Sequence, residues 1–220
     1  MSDVRLAEEI KCGEDCQSGT CVEKNQQKLC RADRTYKSMH VDEDSDFGYL
    51  NRGFSSGQQS NKSDFSFEVR TLSRAGIIWY EGSWKEKRDG DFLAVFLVEG
   101  VLHLAINLGN DGQLKAVSTN RTISDDRWHS VQLTRKERRV EVTVDGKRVI
   151  TVVTSPGSTF LDTNGLVYLG GRNAAKVRQL ARLGLTQKFV GCIRNIEIHS
   201  KRINPFTDTI SDKTPQNCIH

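Results

Sequence analysis

Residues 91–108, with the sequence DFLAVFLVEGVLHLAINL, predict a β-hairpin and with it the layered fold of the chain. Both halves are apolar and rich in β-prone residues, and Glu99-Gly100 lies where a two-residue turn belongs, since glycine readily adopts the positive φ that such turns require. With this turn, the numbers of opposed residues sum to 199, so Asp91 lies opposite Leu108. The register therefore places a carboxylate beside a backbone carbonyl at the open end of the hairpin.

The rest of the sequence predicts more strands of the same kind. The first half of the hairpin is apolar on both faces, and a strand of this type belongs inside a layered core. Short β-prone stretches follow one another with turn signals such as Asp145-Gly146 between them, which indicates an all-β sandwich or barrel. Only residues 174–183 have the spacing of a helix. The other predicted strands cover residues 65–70, 75–80, 114–117, 128–135, 139–144, 148–153, 166–169 and 189–199.

Length and composition limit the class of protein. The chain has 220 residues, of which 36% are hydrophobic and 27% charged, and this suits one medium-sized globular domain with a small appendage. A net charge of +4, from 32 basic and 28 acidic residues, is too balanced for a general nucleic-acid binder. No apolar run is long enough to insert into a membrane, and residues 1–10 lack the apolar core of a signal peptide. We therefore expect a cytosolic chain or an internal fragment of a longer protein.

The six cysteines favour the fragment of a longer protein. An even number, divided into a tight cluster and a distant pair, is typical of disulfides and of an oxidising compartment. Two glycosylation sequons, at Asn61 and Asn120, agree with this interpretation, although such triplets also arise by chance. We predict that the chain is part of a secreted, extracellular protein. The clustered cysteines are Cys12, Cys16, Cys21 and Cys30, and the distant pair is Cys192 and Cys218.

The N-terminal spacing Cys12-x3-Cys16-x4-Cys21-x8-Cys30 resembles the first half of an EGF-like module. The resemblance implies disulfides between Cys12 and Cys21 and between Cys16 and Cys30, although the last two cysteines of the family pattern are missing. The alternative is a zinc site with four thiolates, but such sites use two close pairs of cysteines set well apart. We assign residues 1–34 to this disulfide-rich segment and its linker, and residues 35–220 to the main domain.

One motif suggests an enzyme. Residues 53–57, with the sequence GFSSG, match the G-x-S-x-G pattern of a serine hydrolase, which requires a buried strand before it and a helix after it. Both flanks are polar here, and no other nucleophile is paired with a base. We predict that the protein is not an enzyme.

The order of the β-prone motifs is similar to that of a laminin G-like domain, and within that family to the C-terminal domains of perlecan and agrin. The resemblance covers about residues 47–218 and implies a jelly-roll β-sandwich of two seven-stranded antiparallel sheets. It also implies a disulfide between Cys192 and Cys218, which would close a loop of roughly 25 residues and add roughly 3 kcal/mol of stability. The motifs are FEVRT (67–71), GIIWYEG (76–82), DFLAVFLVEGVLHLAINLG (91–109), DDRWHSVQLTR (125–135), VTVDG (142–146), LDTNGLVYLGG (161–171) and FVGCIRNIEIHSKRI (189–203).

The resemblance further implies a calcium ion at the rim of the sandwich. The side-chain ligands would be Asp91 and Asp162, and the backbone carbonyl ligands Leu108 and Phe160. The hairpin register brings Asp91 and Leu108 together independently of the resemblance. Two carboxylates and two carbonyls suit Ca²⁺, and so few charges imply a weak site, with a Kd on the order of 10⁻⁴ to 10⁻³ M. Alternatively, Asp91 only begins a strand and Asp162 only begins an Asx turn.

Basic residues near two predicted turns indicate a second binding surface. Such patches bind sulfated glycans through counterion release, although a solvated turn would have the same composition. The family resemblance implies three partners: a dystroglycan-type glycan, heparan sulfate and integrin. We predict a non-enzymatic extracellular matrix module that binds cell-surface receptors or glycans; the alternative is a carrier of small hydrophobic ligands with the same fold. The basic residues are Arg135, Lys136, Arg138, Arg139, Lys147 and Arg148.

Overall fold

The computed structural model describes residues 10–11, 19–24, 27–32, 38–42, 47–50, 60–82, 90–109, 115–163, 165–170, 187–210 and 215–218. The chain divides into two compact units, Met1–Tyr36 and Lys37–His220. The predicted helix at residues 174–183 and the GFSSG motif at residues 53–57 lie outside the described residues.

The smaller unit contains a three-stranded antiparallel sheet in the order β1-β3-β2. Cys21 and Cys30 are opposed residues on β2 and β3. Cys12 and Cys16 lie outside the described residues, so both disulfides implied by the EGF-like resemblance stay predictions. The strands are β1 (Ile10–Lys11), β2 (Gly19–Lys24) and β3 (Gln27–Ala32).

The larger unit is an all-β sandwich of two antiparallel sheets, as the sequence predicted. Its strands are β4 (Met39–Val41), β5 (Phe47–Leu50), β6 (Lys62–Arg70), β7 (Gly76–Gly82), β8 (Phe92–Val98), β9 (Val101–Asn107), β10 (Lys115–Thr122), β11 (His129–Lys136), β12 (Arg139–Val144), β13 (Lys147–Val153), β14 (Leu166–Leu169), β15 (Gly191–Ile198), β16 (Lys201–Arg202), β17 (Thr209–Ile210) and β18 (Gln216–Asn217).

Each sheet joins strands from distant parts of the chain. Among the residues that the structure describes, the first sheet has seven strands, in the order β10-β9-β8-β7-β14-β5-β17. In the described residues the second sheet has eight, in the order β13-β12-β11-β6-β15-β4-β18 with β16 added beside β15. The second sheet thus has one strand more than the family resemblance implied.

The central hairpin has the predicted register. Val95 pairs with Leu104, and Phe92 pairs with Asn107 as the last pair of the ladder. Glu99 and Gly100 form the turn with φ values of +53° and +81°, which are the positive values required at both central residues of a type I′ turn. The prediction made from residues 91–108 is therefore confirmed.

Strand β8 is buried on both faces, as its apolar composition predicted. Leu93, Val95 and Leu97 belong to the core between the two sheets. Phe92 and Phe96 belong to a second apolar cluster, which also contains Tyr80 and Tyr168.

Strand β10 differs from the prediction, because it extends to Thr122 instead of ending at Val117. Its pairing with β9 shifts between Ser118 and Thr122, and Asn120 has a φ of +54° there. A local bulge of this kind interrupts the alternation of residues by which a strand is recognised in sequence.

A buried histidine holds one end of β11. His129 is 8% exposed, and its two ring nitrogens lie 2.9 Å from Asp145 Oδ2 and 2.9 Å from Asp125 Oδ1. Burial lowers the pKa of His129, but the hydrogen bonds to Asp145 and Asp125 raise it by more, so the net shift is upward. The folded state therefore stabilises the imidazolium form.

The two sheets contact each other through stacked aromatic rings. Phe65 on β6 and Trp79 on β7 have ring centroids 3.9 Å apart and are both almost fully buried. We expect Phe65→Ala to lower the free energy of unfolding by about 3 to 5 kcal/mol, because it leaves a cavity between the sheets. Leu72→Ala is the control, since Leu72 is 70% exposed and its truncation should change stability by less than about 0.5 kcal/mol. Equal effects in urea denaturation would contradict this packing.

The environment of His129 predicts a pH-dependent stability. Because its folded-state pKa lies above the unfolded value, its contribution is complete below about pH 6.5 and is lost as the pH rises through the folded pKa. Between pH 6 and pH 9, the free energy of unfolding should therefore fall more in the wild type than in His129→Gln, as measured by urea denaturation. Gln132→Ala, at an exposed position of the same strand, removes no titratable group and should keep the wild-type profile. Parallel profiles for the wild type and His129→Gln would contradict the prediction.

Candidate metal centre at the sandwich rim

The fold brings together the two predicted carboxylate ligands. Asp91 directly precedes β8, and Asp162 lies 71 residues later in the chain. The backbone N–H of Asp162 donates a hydrogen bond of 2.8 Å to Asp91 Oδ2. The pairing of Phe92 with Asn107 places Leu108 across from Asp91 at the same end of the sheet.

The Asp91 carboxylate lies in a space that only a glycine leaves open. A Cβ atom added to Gly109 would lie 2.6 Å from Asp91 Oδ1, and Gly109 has a φ of +79°. The N–H of Gly109 donates to Asn107 Oδ1 at 3.1 Å, and Asn107 Nδ2 donates to the Gly90 carbonyl at 3.4 Å. These contacts join both strand ends around Asp91.

The electrostatics of this rim favour a cation. Burial raises the pKa of Asp91; the Asp162 N–H lowers it, the Asp162 carboxylate raises it and the Arg135 guanidinium lowers it, with a net upward shift. A half-buried carboxylate that is repelled by a second, exposed one would be stabilised by a positive ion. Oxygen donors from carboxylates and carbonyls are the ligands that Ca²⁺ takes, so the donor set fits this metal.

The segment that carries Phe160 is fixed by backbone contacts. Leu161 forms a β-bridge with Ser60, in which the Leu161 N–H donates to the Ser60 carbonyl at 2.8 Å and the Ser60 N–H donates to the Leu161 carbonyl at 3.3 Å. The Ser158 hydroxyl lies 3.3 Å from the Phe160 carbonyl, and the Phe160 side chain is 41% exposed. The structure therefore places the predicted ligand Phe160 in an ordered turn two residues before Asp162.

Arg135 is not part of a surface patch, and its assignment to the glycan-binding residues is wrong. Strand β11 alternates buried and exposed residues along its whole length, and Arg135 occupies a buried position with only 3% exposure. Its guanidinium is occupied by hydrogen bonds within the protein. Burial lowers the pKa of Arg135 to about 10, against the opposing charges of Glu81 and Asp91, so the group stays charged at neutral pH.

Of the other predicted basic residues, Lys147 lies far from the β11–β12 turn, whereas Arg148 shares a Glu141 oxygen with Arg139. Lys136 and Arg139 are paired at the β11–β12 turn, whereas Lys147 pairs with Val144 at the far end of β12, about 17 Å away at 3.4 Å per residue. Glu141 neutralises part of the positive charge, with its Oε1 lying 2.6 Å from Arg139 and 3.5 Å from Arg148. The basic turn, defined here as Lys136, Glu137 and Arg138, is the part that adjoins the rim.

Of the sequon asparagines, Asn120 is exposed, whereas Asn61 is half-buried and its carbonyl accepts a hydrogen bond from the Glu137 N–H at 2.6 Å. Glycosylation of both stays a prediction. Cys192 and Cys218 form a disulfide with their Cα atoms 6.0 Å apart. His40 lies beside this disulfide, but bonded sulfurs are not thiolate ligands, so the three residues do not make a metal site.

A sandwich of two antiparallel sheets with this strand order belongs to the jelly-roll class of β-sandwiches. The family model for the laminin G domain matches residues 69–201, and the chain belongs to the laminin G domain family. Members of this family are generally binding modules and not enzymes.

The chain is similar to two mouse proteins of this family. It is 31% identical over 137 residues to the basement membrane-specific heparan sulfate proteoglycan core protein of Mus musculus, a match that covers 62% of the chain and 4% of that protein. It is 26% identical over 155 residues to laminin subunit alpha-4 of Mus musculus, with 70% of the chain and 8% of that protein covered. The chain thus spans only a small part of the length of these relatives.

A solved structure agrees on the fold. Domains LG4-5 of the mouse laminin alpha1 chain superimpose with a TM-score of 0.66 at 19% identity, covering 99% of this chain and 52% of that one. In the part of the chain that the structure describes, no helix has the length and apolar character needed to cross a membrane.

Proposed function

We propose that this domain is a non-enzymatic extracellular module that binds anionic glycans or receptors through Ca²⁺ held at the rim. Asp91 and Asp162 would supply the charged oxygens, and the carbonyls of Leu108 and Phe160 would complete the protein ligands. The observation that carries the proposal is the contact between Asp162 and Asp91 across 71 residues of sequence. Bound there, Ca²⁺ would supply a positive centre with open positions for acidic oxygens of a ligand.

The basic turn would extend this surface. Lys136 is exposed and Arg138 is half-buried, and both adjoin the rim because Arg135 contacts the carbonyls of Glu137 and Thr159. The combination of a metal site and cations suits a ligand with several negative charges. A dystroglycan-type glycan and heparan sulfate meet this description, and an acidic integrin segment is a third partner of the same chemistry.

The alternative function, a carrier of small hydrophobic ligands, is not favoured by the core. The space between the sheets is filled by close-packed apolar side chains that include Phe67, Trp79 and Leu104. We further propose that the domain acts outside the cell as part of a longer matrix protein, since its relatives include a basement membrane proteoglycan.

Calcium titration by calorimetry tests the proposal. Chelator-treated wild type should bind Ca²⁺ with a Kd on the order of 10⁻⁴ to 10⁻³ M. Asp91→Asn and Asp162→Asn should weaken binding at least about tenfold, because each removes a charged ligand oxygen. Gly109→Ala should also weaken binding, since its methyl group would displace Asp91 Oδ1. Asp64→Asn, at an exposed position on β6, is the control that should bind normally. Folded wild type that takes up no calcium would contradict the proposal.

Salt-dependent binding to heparan sulfate tests the role of the basic turn. The double variant Lys136→Ala and Arg138→Ala should bind more weakly. A plot of the logarithm of its binding constant for heparan sulfate against the logarithm of the salt concentration should also be less steep. The slope should be shallower by about one for each sulfate or carboxylate that the removed cations would neutralise. Single variants give a charge-matched comparison, in which Lys147→Ala, at the far end of β12, should lose less affinity than Lys136→Ala. Equal losses in these two single variants would contradict a surface centred on the rim.

A further inference from the structure

The buried guanidinium of Arg135 contacts three separate segments of the chain. Its Nε donates to Ser63 Oγ at 3.1 Å, and its Nη2 donates to the Ser60 carbonyl at 2.8 Å. Its Nη1 donates to the Glu137 carbonyl at 3.0 Å and to the Thr159 carbonyl at 3.1 Å. One side chain therefore joins the start of β6, the basic turn and the segment that leads into Phe160.

These contacts enclose the stretch that presents two of the predicted calcium ligands. Thr159, whose carbonyl accepts from Arg135, directly precedes Phe160. Ser60, whose carbonyl also accepts from Arg135, forms the β-bridge with Leu161. The following N–H, that of Asp162, donates to Asp91. The stretch is thus held at Thr159, Leu161 and Asp162, and Phe160 and Asp162 have little freedom to move away from Asp91.

The planar fork of arginine is needed for this arrangement. A guanidinium has five N–H donors in fixed directions, and all three nitrogens of Arg135 donate to the four acceptors around it. Lysine would keep the positive charge in the same interior position, but its single ammonium group cannot donate to acceptors spread in this way. The arginine-to-lysine exchange therefore separates geometry from charge.

We propose that Arg135 is a positioning residue for the calcium site, which fixes residues 159–162 so that Phe160 and Asp162 are preset for the metal. This inference rests on the proposed function for the metal itself. The positive charge of Arg135 also acts on Asp91, but in the opposite sense, because a nearby cation disfavours Ca²⁺. Loss of the positioning contacts should therefore weaken calcium binding, whereas loss of the positive charge should strengthen it.

The first test is calcium titration of Arg135→Lys and Arg135→Gln by calorimetry. If Arg135 positions the ligands, both variants should bind Ca²⁺ about 10 to 100 times more weakly, as when outer partners of metal ligands are removed. Unchanged affinity in Arg135→Lys would overturn the inference, and tighter binding in Arg135→Gln would then show that only the charge matters. Ile193→Ala, at a buried position beside Val69 at the opposite end of β6, controls for a general loss of stability and should keep its calcium affinity while folded.

The second test does not need the metal. Amide hydrogen exchange in the calcium-free protein should be faster at Leu161 and Asp162 in Arg135→Lys than in the wild type, because the guanidinium would no longer hold the Ser60 and Thr159 carbonyls on either side of this stretch. Exchange at Val142, in the middle of β12, should be the same in both proteins. Unchanged exchange at Leu161 and Asp162 would overturn the inference.

The two tests distinguish this inference from the proposed function. If wild type binds no calcium, the proposed function fails, and amide exchange alone decides whether Arg135 fixes residues 159–162. If wild type binds calcium and Arg135→Lys binds it equally well, the proposed function stands and the positioning role of Arg135 is refuted.

Discussion

The register of the β8–β9 hairpin is the constraint on which the rest of the structure depends. The turn at Glu99 and Gly100 has positive φ at both residues, and a shift by one residue would move every side chain of β8 to the opposite face. Such a shift is costly, because β8 packs against the inter-sheet core on one face and against a second apolar cluster on the other. The same register sets the end of the ladder at Phe92 and Asn107, and so determines that Asp91 and Leu108 meet at the rim.

Strand β11 plays the corresponding part in the second sheet. Its inward positions are apolar in the middle, at Val131 and Leu133, and polar at the ends, where His129 and Arg135 are buried. Each of these polar residues satisfies its donors on neighbouring loops: His129 on Asp125 and Asp145, Arg135 on carbonyls of the rim. A buried polar side chain is tolerated only when it is fully hydrogen-bonded. His129 and Arg135 therefore determine where the loops that carry their partners lie, and they also stabilise those loops.

The sequence alone predicted the architecture and the position of Asp91 opposite Leu108. In a hairpin with a two-residue turn, the position of the turn determines which residues of the two strands lie opposite each other. Arg135 was misassigned to a glycan-binding surface, since the basic run at residues 135–139 lies at a predicted hairpin end. His129, Val131 and Leu133 are every second residue of β11 and point into the protein. Continuing this alternation to the next such position would have predicted that Arg135 is buried. Only the family resemblance predicted that Asp91 and Asp162 lie together, because no local sequence pattern relates positions 71 residues apart. The distance between Lys136 and Lys147 depends on the length of β12. The partial neutralisation of Arg139 and Arg148 by Glu141 depends on side-chain directions that a sequence does not specify.

The central claim is that this rim is a calcium site formed by Asp91, Asp162, Leu108 and Phe160. The most direct measurement is anomalous X-ray diffraction from crystals of the domain grown in saturating calcium. Our account predicts an anomalous peak at about 2.3 to 2.6 Å from the carboxylate oxygens of Asp91 and Asp162 and from the carbonyl oxygens of Leu108 and Phe160. An empty rim in those crystals, or a calcium peak elsewhere that these oxygens do not coordinate, would contradict it.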